Sequence, residues 1–171
     1  EKFIKKLKNK GIDGINVTVP FKKVVIPFLD QLTTEASITQ SVNTISIENG
    51  KLVGHNTDVA GFELAIRYIK FDVGKKNILI IGAGGVVPSI IYSLKKMKAN
   101  TISLINRTKE NAEEIKKKFK EIEILNWGEK YDFDMIINAT SVGLNKEDKI
   151  DLKIENFGKN KFFYDVIYKP S

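Results

Sequence analysis

Asn77–Ser89, NILIIGAGGVVPS, is the stretch from which the rest of the chain is read. Four apolar residues, Ile78-Leu79-Ile80-Ile81, run directly into Gly82-Ala83-Gly84-Gly85, and an amphipathic segment follows at once. An apolar run bounded by glycines reads as a strand buried on both faces, then a tight turn and a helix. Such a turn lets backbone N–H groups approach a pyrophosphate at the positive end of a helix. Gly82 and Gly84 occupy the first and third places of the usual dinucleotide fingerprint, but Val87 holds the sixth, so helix and strand are expected slightly farther apart. The glycines alone fit a structural turn equally well; their position in a strand–turn–helix unit favours a cofactor.

Outward from this stretch, strand and helix patterns alternate. Ile78–Ile81, Thr101–Ile105, Ile122–Leu125, Met135–Ile137 and Phe162–Val166 read as strands. Val86–Met97 and Thr108–Phe119 read as helices, the second with Ala112, Ile115 and Phe119 at core spacing. This alternation predicts an α/β fold with a doubly wound parallel sheet.

Upstream the pattern differs. Phe3, Ile4 and Leu7 share one face of a helix that stops at Gly11. Ile15–Val19 alternates as a strand ended by Pro20, and a short helix bearing Val24, Val25, Phe28 and Leu29 is interrupted or capped by Pro27. Thr33–Ser41 is polar and carries no assigned element. Val42–Ile47 and Leu52–His55 read as a hairpin on Asn49-Gly50, a type I′ turn whose two central residues need positive φ. Asp58 is the expected N-cap of a helix with Phe62, Ile66 and Ile69 on one face. Asp72–Lys76 is the expected hinge between two lobes, residues 1–72 and 73–171.

With 171 residues, 42% of them apolar, the chain can bury one good core or two small lobes around a cleft. It has no cysteine, which excludes disulfides and thiolate metal sites and fits a reducing cytoplasm. No apolar run approaches membrane-spanning length. The net charge of +7 raises nucleic-acid binding. However, Lys5-Lys6, Lys8, Lys10 and Lys116-Lys117-Lys118 lie on helical patterns without interleaved aromatics, which reads as solvated faces and attraction for an anionic ligand.

The end of the second nucleotide-lobe strand discriminates between cofactors. An NAD site wants an acid there for the ribose hydroxyls. Ile105 instead leads into Asn106-Arg107-Thr108-Lys109. A guanidinium fork matches phosphate oxygens and stacks on adenine, so NADP is favoured over NAD. Earlier, Asn16 and Thr18 fall on the same side of the expected strand and present an amide and a hydroxyl ahead of Lys22; taken alone the segment reads as a half-buried strand with a solvated Lys, and a set that binds a polyhydroxylated substrate is the alternative. Asn43 reads as a strand-end residue. His55, the only histidine, reads as a turn residue without metal partners.

Seven segments now stand in the order and rough spacing of shikimate dehydrogenases. They are GINVTVPFK from residue 14, SVNT from 41, NTDVAG from 56, GAGG from 82, NRT from 106, NATSVG from 138 and YDVIYKP from 164. The chain resembles this family over nearly its whole length. The resemblance implies that Lys22 is the catalytic lysine and Asp58 its partner carboxylate. It implies that Thr18, Asn43, Asp58 and Tyr168 bind the substrate. Gly82, Ala83, Gly84, Gly85 and Val86 resemble the pyrophosphate loop, and Asn106, Arg107 and Thr108 the adenosine-phosphate site. Asn138-Ala139-Thr140-Ser141 resembles the loop beside the nicotinamide ribose, with Val166 joining Thr140 in the cofactor site.

The implied reaction is the NADPH-dependent, reversible reduction of 3-dehydroshikimate to shikimate on the chorismate route to aromatic amino acids. A quinate/shikimate dehydrogenase and an inactive or binding-only domain are the alternatives. The expected partner is a small-molecule substrate, with no nucleic acid, membrane or metal, in a cytoplasmic monomer or homodimer. The chain departs from the family at Thr39-Gln40-Ser41, at Val86-Val87-Pro88 and at Asn111, where a second basic residue is common. The family's earlier substrate-binding serines and later glutamine segment have no counterpart, so the chain is expected to be the middle of a longer enzyme with both lobes incomplete.

Overall fold

The computed structural model describes residues 2–9, 11–129, 132–143, 147 and 161–167. The chain forms two compact units, one of Glu1–Phe71 with Pro88–Ser93, the other of Asp72–Val87 with Leu94–Ser171. The division after Phe71 falls where the polar Asp72–Lys76 stretch begins, and the short segment Pro88–Ser93 joins the first unit.

In the first unit, α1 (Lys2–Lys8) buries Ile4 and Leu7, one turn apart on one stripe. Strand β1 (Gly14–Asn16) is shorter than the alternation predicts. The Val17 N–H still bonds the Asn43 carbonyl at 2.7 Å, but the Thr18 carbonyl already accepts from the Phe21 N–H, turning the chain into α2 (Phe21–Val24). Thr18 therefore lies outside the strand, though like Asn16 it is exposed, the two standing on either side of the buried Val17.

Pro27 interrupts the next helix. Ile26–Phe28 is a 3₁₀ turn with this proline in its first two positions. Of the expected apolar face, Val25 is buried while Val24 and Phe28 are exposed. Strand β2 (Gln31–Leu32) follows.

The polar stretch Thr33–Ser41 contains a helix, α3 (Thr34–Thr39). The Thr33 hydroxyl accepts from the Ala36 N–H, and Gln40 ends the helix at φ +51°. Its buried face consists of Ala36 and Thr39, too sparse in large apolar residues to show as a periodic pattern.

Strands β3 (Thr44–Glu48) and β4 (Lys51–His55) form the expected hairpin, with Asn49 at φ +50° and Gly50 at φ +77°. Sheet order is β1-β3-β4-β2, antiparallel except for the β2–β4 pair. Helix α4 (Thr57–Tyr68) buries Val59, Phe62 and Ile66. Ile69, expected on that face, is instead the C-cap residue and is exposed, because the helix has already ended.

The second unit is a five-stranded sheet of β5 (Asn77–Ile81), β6 (Thr101–Ile105), β7 (Glu123–Ile124), β8 (Met135–Asn138) and β9 (Phe162–Asp165). Its order is β7-β6-β5-β8-β9 and every pair is parallel. The order reverses beside β5, the arrangement of a Rossmann-type doubly wound sheet. Leu79, Ile81, Ile105 and Ile136 form one continuous apolar cluster. Helix α5 (Val87–Lys96) follows β5 and α6 (Lys109–Lys118) follows β6, the latter burying Ala112 and Ile115. Among the described residues, no helix is long and apolar enough to cross a membrane.

Candidate active site

The first unit brings together three polar residues from separate segments. Lys22 Nζ donates to Asp58 Oδ2 at 2.7 Å, across 36 residues of sequence. Asn43 Nδ2 donates to the other carboxylate oxygen, Asp58 Oδ1, at 2.9 Å. The Lys22 and Asp58 side chains are 17% and 23% exposed, sheltered enough to hold one geometry and open enough to meet a ligand.

Each residue is placed by its element. Lys22 stands in the first turn of α2, and its carbonyl accepts from the Val42 N–H at 2.9 Å. Asn43 precedes β3, with its own N–H on the His55 carbonyl. Asp58 lies in the first turn of α4, where the helix dipole favours a negative charge.

Asp58 is not the N-cap. That position belongs to Asn56, whose backbone is extended and whose Oδ1 accepts from Asp58 N at 3.1 Å and Val59 N at 3.4 Å. Asn and Asp are about equally good caps, so residue type alone does not decide which of the two takes the role. The consequence is chemical: the Asp58 carboxylate is released from capping and turned to Lys22.

Thr57, which the sequence did not single out, also belongs to the cluster. Its N–H donates to Asn43 Oδ1 at 2.9 Å, and its exposed hydroxyl accepts from Asn43 Nδ2 at 2.9 Å. Its place between two recognised polar residues was the available signal. Thr18 is exposed four residues before Lys22. Asn16 Oδ1 accepts from the Thr44 hydroxyl. Tyr168 lies outside the described residues.

His55 is the last residue of β4 rather than a turn residue. Its Nε2 stands 2.9 Å from Ser46 Oγ and 3.0 Å from Glu48 Oε1, because residues 46 and 48 share a strand face beside it. Among the described residues no group of three His, Cys, Asp or Glu side chains is placed to hold a metal.

The second unit carries the glycine turn. Gly82 has φ +104°, and a Cβ there would stand 2.8 Å from the Ala139 carbonyl oxygen and from Thr140 Cγ2, so only glycine fits. Gly84 and Gly85 are exposed, and a Cβ on Gly85 would meet nothing within 4 Å. Open space over exposed peptide groups is what a pyrophosphate needs. Ala83 and Val86 are half-buried beside it, and the Val87 N–H closes the turn on the Gly84 carbonyl at 3.1 Å.

Beyond β6, Asn106 Nδ2 donates to the Thr108 carbonyl at 2.6 Å and shapes the turn that displays Arg107. Arg107 and Thr108 are exposed, and Thr108 is the N-cap of α6 yet makes no side-chain cap hydrogen bond. A guanidinium and a hydroxyl not spent on capping, at the end of the second strand, fit a phosphate on the adenosine ribose.

The loop after β8 is held by its own side chains. Asn138 Oδ1 accepts from Thr140 N and Thr140 Oγ1, at 3.1 and 2.7 Å, and Thr140 Oγ1 accepts in turn from Val142 N at 3.0 Å. Val166 is tied to the same loop through its N–H on the Asn138 carbonyl. Burial raises the nearby Tyr164 phenol above its ordinary pKa.

Comparison with known proteins points the same way. Residues 1–45 match the family model for the shikimate dehydrogenase substrate binding domain, and residues 63–165 match that for shikimate / quinate 5-dehydrogenase. A curated relative from Pelagibacter ubique, named shikimate dehydrogenase (NADP(+)), is 54% identical over 170 residues, covering 99% of this chain and 64% of its own length. The crystal structure of shikimate dehydrogenase from Aquifex aeolicus superposes with a TM-score of 0.86 at 38% identity, covering 98% of this chain and 63% of that one. A 5-ketofructose reductase of a Gluconobacter strain, in ligand-free form, superposes with a TM-score of 0.83 at 31% identity, covering 97% and 63%. The chain thus spans somewhat less than two thirds of the length of these relatives.

Proposed function

The chain belongs to the shikimate / quinate 5-dehydrogenase family, and from that premise we propose that its protein catalyses the NADP-dependent interconversion of shikimate and 3-dehydroshikimate. The single observation that carries the proposal is the Lys22–Asp58 pair at 2.7 Å with Asn43 on the second carboxylate oxygen. Reduction of a ring ketone needs a hydride at carbon and a proton at oxygen. NADPH, when bound, supplies the hydride.

The chain's own residues handle the proton. The Lys22 ammonium donates a hydrogen bond to the carbonyl oxygen, stabilises the charge that develops on it, and transfers a proton as the hydroxyl forms. Asp58 holds the ammonium in place and accepts a hydrogen bond from a neighbouring substrate hydroxyl. Asn43 fixes the Asp58 carboxylate so that neither group must reorganise during the reaction. In the oxidative direction Lys22 receives the proton.

Gly82–Val86 would hold the pyrophosphate through backbone N–H groups, and Arg107 and Thr108 the 2′-phosphate, with Asn106 shaping their turn. Thr140 and Val166 would flank the nicotinamide ribose. Thr18 and Tyr168 complete the proposed substrate set. The proposal includes a substrate-binding lobe to residue 72 and a nucleotide-binding lobe from 73. It also includes a cytoplasmic monomer or homodimer and a place in aromatic amino acid biosynthesis.

The test is NADP reduction by the full natural protein with shikimate, against quinate and with NAD in place of NADP. Shikimate with NADP is expected to give the largest kcat/KM. The likeness to a 5-ketofructose reductase supports a second reading, reduction of another polyhydroxylated ketone. Faster NADPH oxidation by 5-ketofructose than by 3-dehydroshikimate would establish that reading instead.

A further inference from the structure

Asn56 is 5% exposed and gathers five hydrogen bonds. Its Oδ1 caps the N–H groups of Asp58 and Val59. Its Nδ2 donates to Thr39 Oγ1 at 2.8 Å, to the Ser41 carbonyl at 3.0 Å and to Ser89 Oγ at 2.8 Å. The orientation of the amide is dictated by its partners: backbone N–H groups can only donate and the Ser41 carbonyl can only accept. Thr39 and Ser89 are both fully buried, so the anchor is sheltered from water.

The Ser41 carbonyl belongs to the same peptide unit as the Val42 N–H. That N–H donates to the Lys22 carbonyl at 2.9 Å. A peptide unit is planar and stiff, so gripping its oxygen also places its nitrogen. One side chain therefore holds the peptide clamped to Lys22 with its amide nitrogen and the backbone of Asp58 with its amide oxygen. We propose that Asn56 is a positioning residue that sets the separation of Lys22 and Asp58, the two groups at the centre of the proposed reaction. The inference rests on the function proposed above, since it assigns a role in that reaction.

Two substitutions separate anchoring from capping. Asn56→Ser keeps a good N-cap but cannot also reach the Ser41 carbonyl. Asn56→Asp keeps the cap, and its charge favours the start of α4, so the helix is retained; its second oxygen then opposes the Ser41 carbonyl instead of donating to it. In the full natural protein, both variants should lose about tenfold to a hundredfold in kcat/KM for shikimate, the scale of a small misplacement of reacting groups. KM for NADP should stay within about twofold, because the glycine turn is untouched. Ser89→Ala, which removes one of three anchoring oxygens, should lose less.

A purely structural role would lower the melting midpoint while leaving kcat/KM per folded molecule unchanged, and that result would overturn the inference. If Asn56→Ser does not fold, Asn56→Asp decides alone by the same criterion. A natural protein with no shikimate-dependent NADP reduction would overturn the functional reading itself, and this inference with it. A functioning protein indifferent to both Asn56 variants would overturn this inference only.

Discussion

At the scale of single residues, the most informative choice is between two capping types separated by one residue. Asn56 and Asp58 both have side chains suited to a helix start, yet only Asn56 caps α4. The carboxylate left over is the one that meets Lys22. Lys22→Ala is expected to lower kcat by about 10²- to 10⁴-fold, the usual worth of a positioned proton donor, with NADP affinity unchanged. Steady-state kinetics together with NADP titration check this, and an unaltered kcat would remove Lys22 from its role. At the far end of β6, Arg107 is exposed in a turn shaped by Asn106. Arg107→Asp should repel a 2′-phosphate and accept ribose hydroxyls, moving the ratio of NADP to NAD kcat/KM towards NAD by at least about tenfold. An unchanged ratio would count against this phosphate site.

Among the secondary-structure elements, local chemistry made some segments legible and left others hidden. Asn49-Gly50 announced its hairpin because both residues must adopt positive φ, and they do. The strands of the second unit were legible because burial on two faces makes their sequences continuously apolar. α3 was hidden because its buried face is one alanine and one threonine. β1 was overextended because alternation continues through Val19 while its hydrogen bonding does not. The glycine turn tests the element most directly. Gly82→Ala would force a side chain into φ +104° and against the Ala139 carbonyl. Strain and overpacking together should cost about 2–4 kcal/mol of stability and weaken NADP binding. Chemical denaturation and cofactor titration read both effects, and wild-type values for each would mean that the β5–α5 turn has room it does not show.

For the molecule as a whole, two units carry different parts of the proposed chemistry. The first holds Lys22, Asn43 and Asp58, and the second holds the glycine turn, Arg107 and the Asn138–Thr140 loop. Binding to the folded state alone stabilises it by mass action, by about 2.7 kcal/mol at a hundred times Kd. NADP is therefore expected to raise the melting midpoint of the full natural protein, and NAD at the same concentration to raise it less. Equal shifts for the two dinucleotides would argue that the Arg107 turn does not contact the extra phosphate.

The sequence by itself determined the parallel strands of the second unit, the glycine turn, the hairpin and the family, since each is written in residues that are neighbours or nearly so. Gly82 lets the chain take φ +104° without a Cβ penalty, and Ile78–Ile81 are apolar enough to be buried wherever the sheet lies. The tertiary structure alone decided which polar residues act together. Lys22, Asn43 and Asp58 stand on α2, before β3 and on α4, and only the folding of the first unit brings an amine and an amide each within 3 Å of one carboxylate. It also decided that Asn56 faces Thr39, Ser41 and Ser89. Hydrogen bonds between distant segments depend on where backbones cross, and no local propensity encodes that.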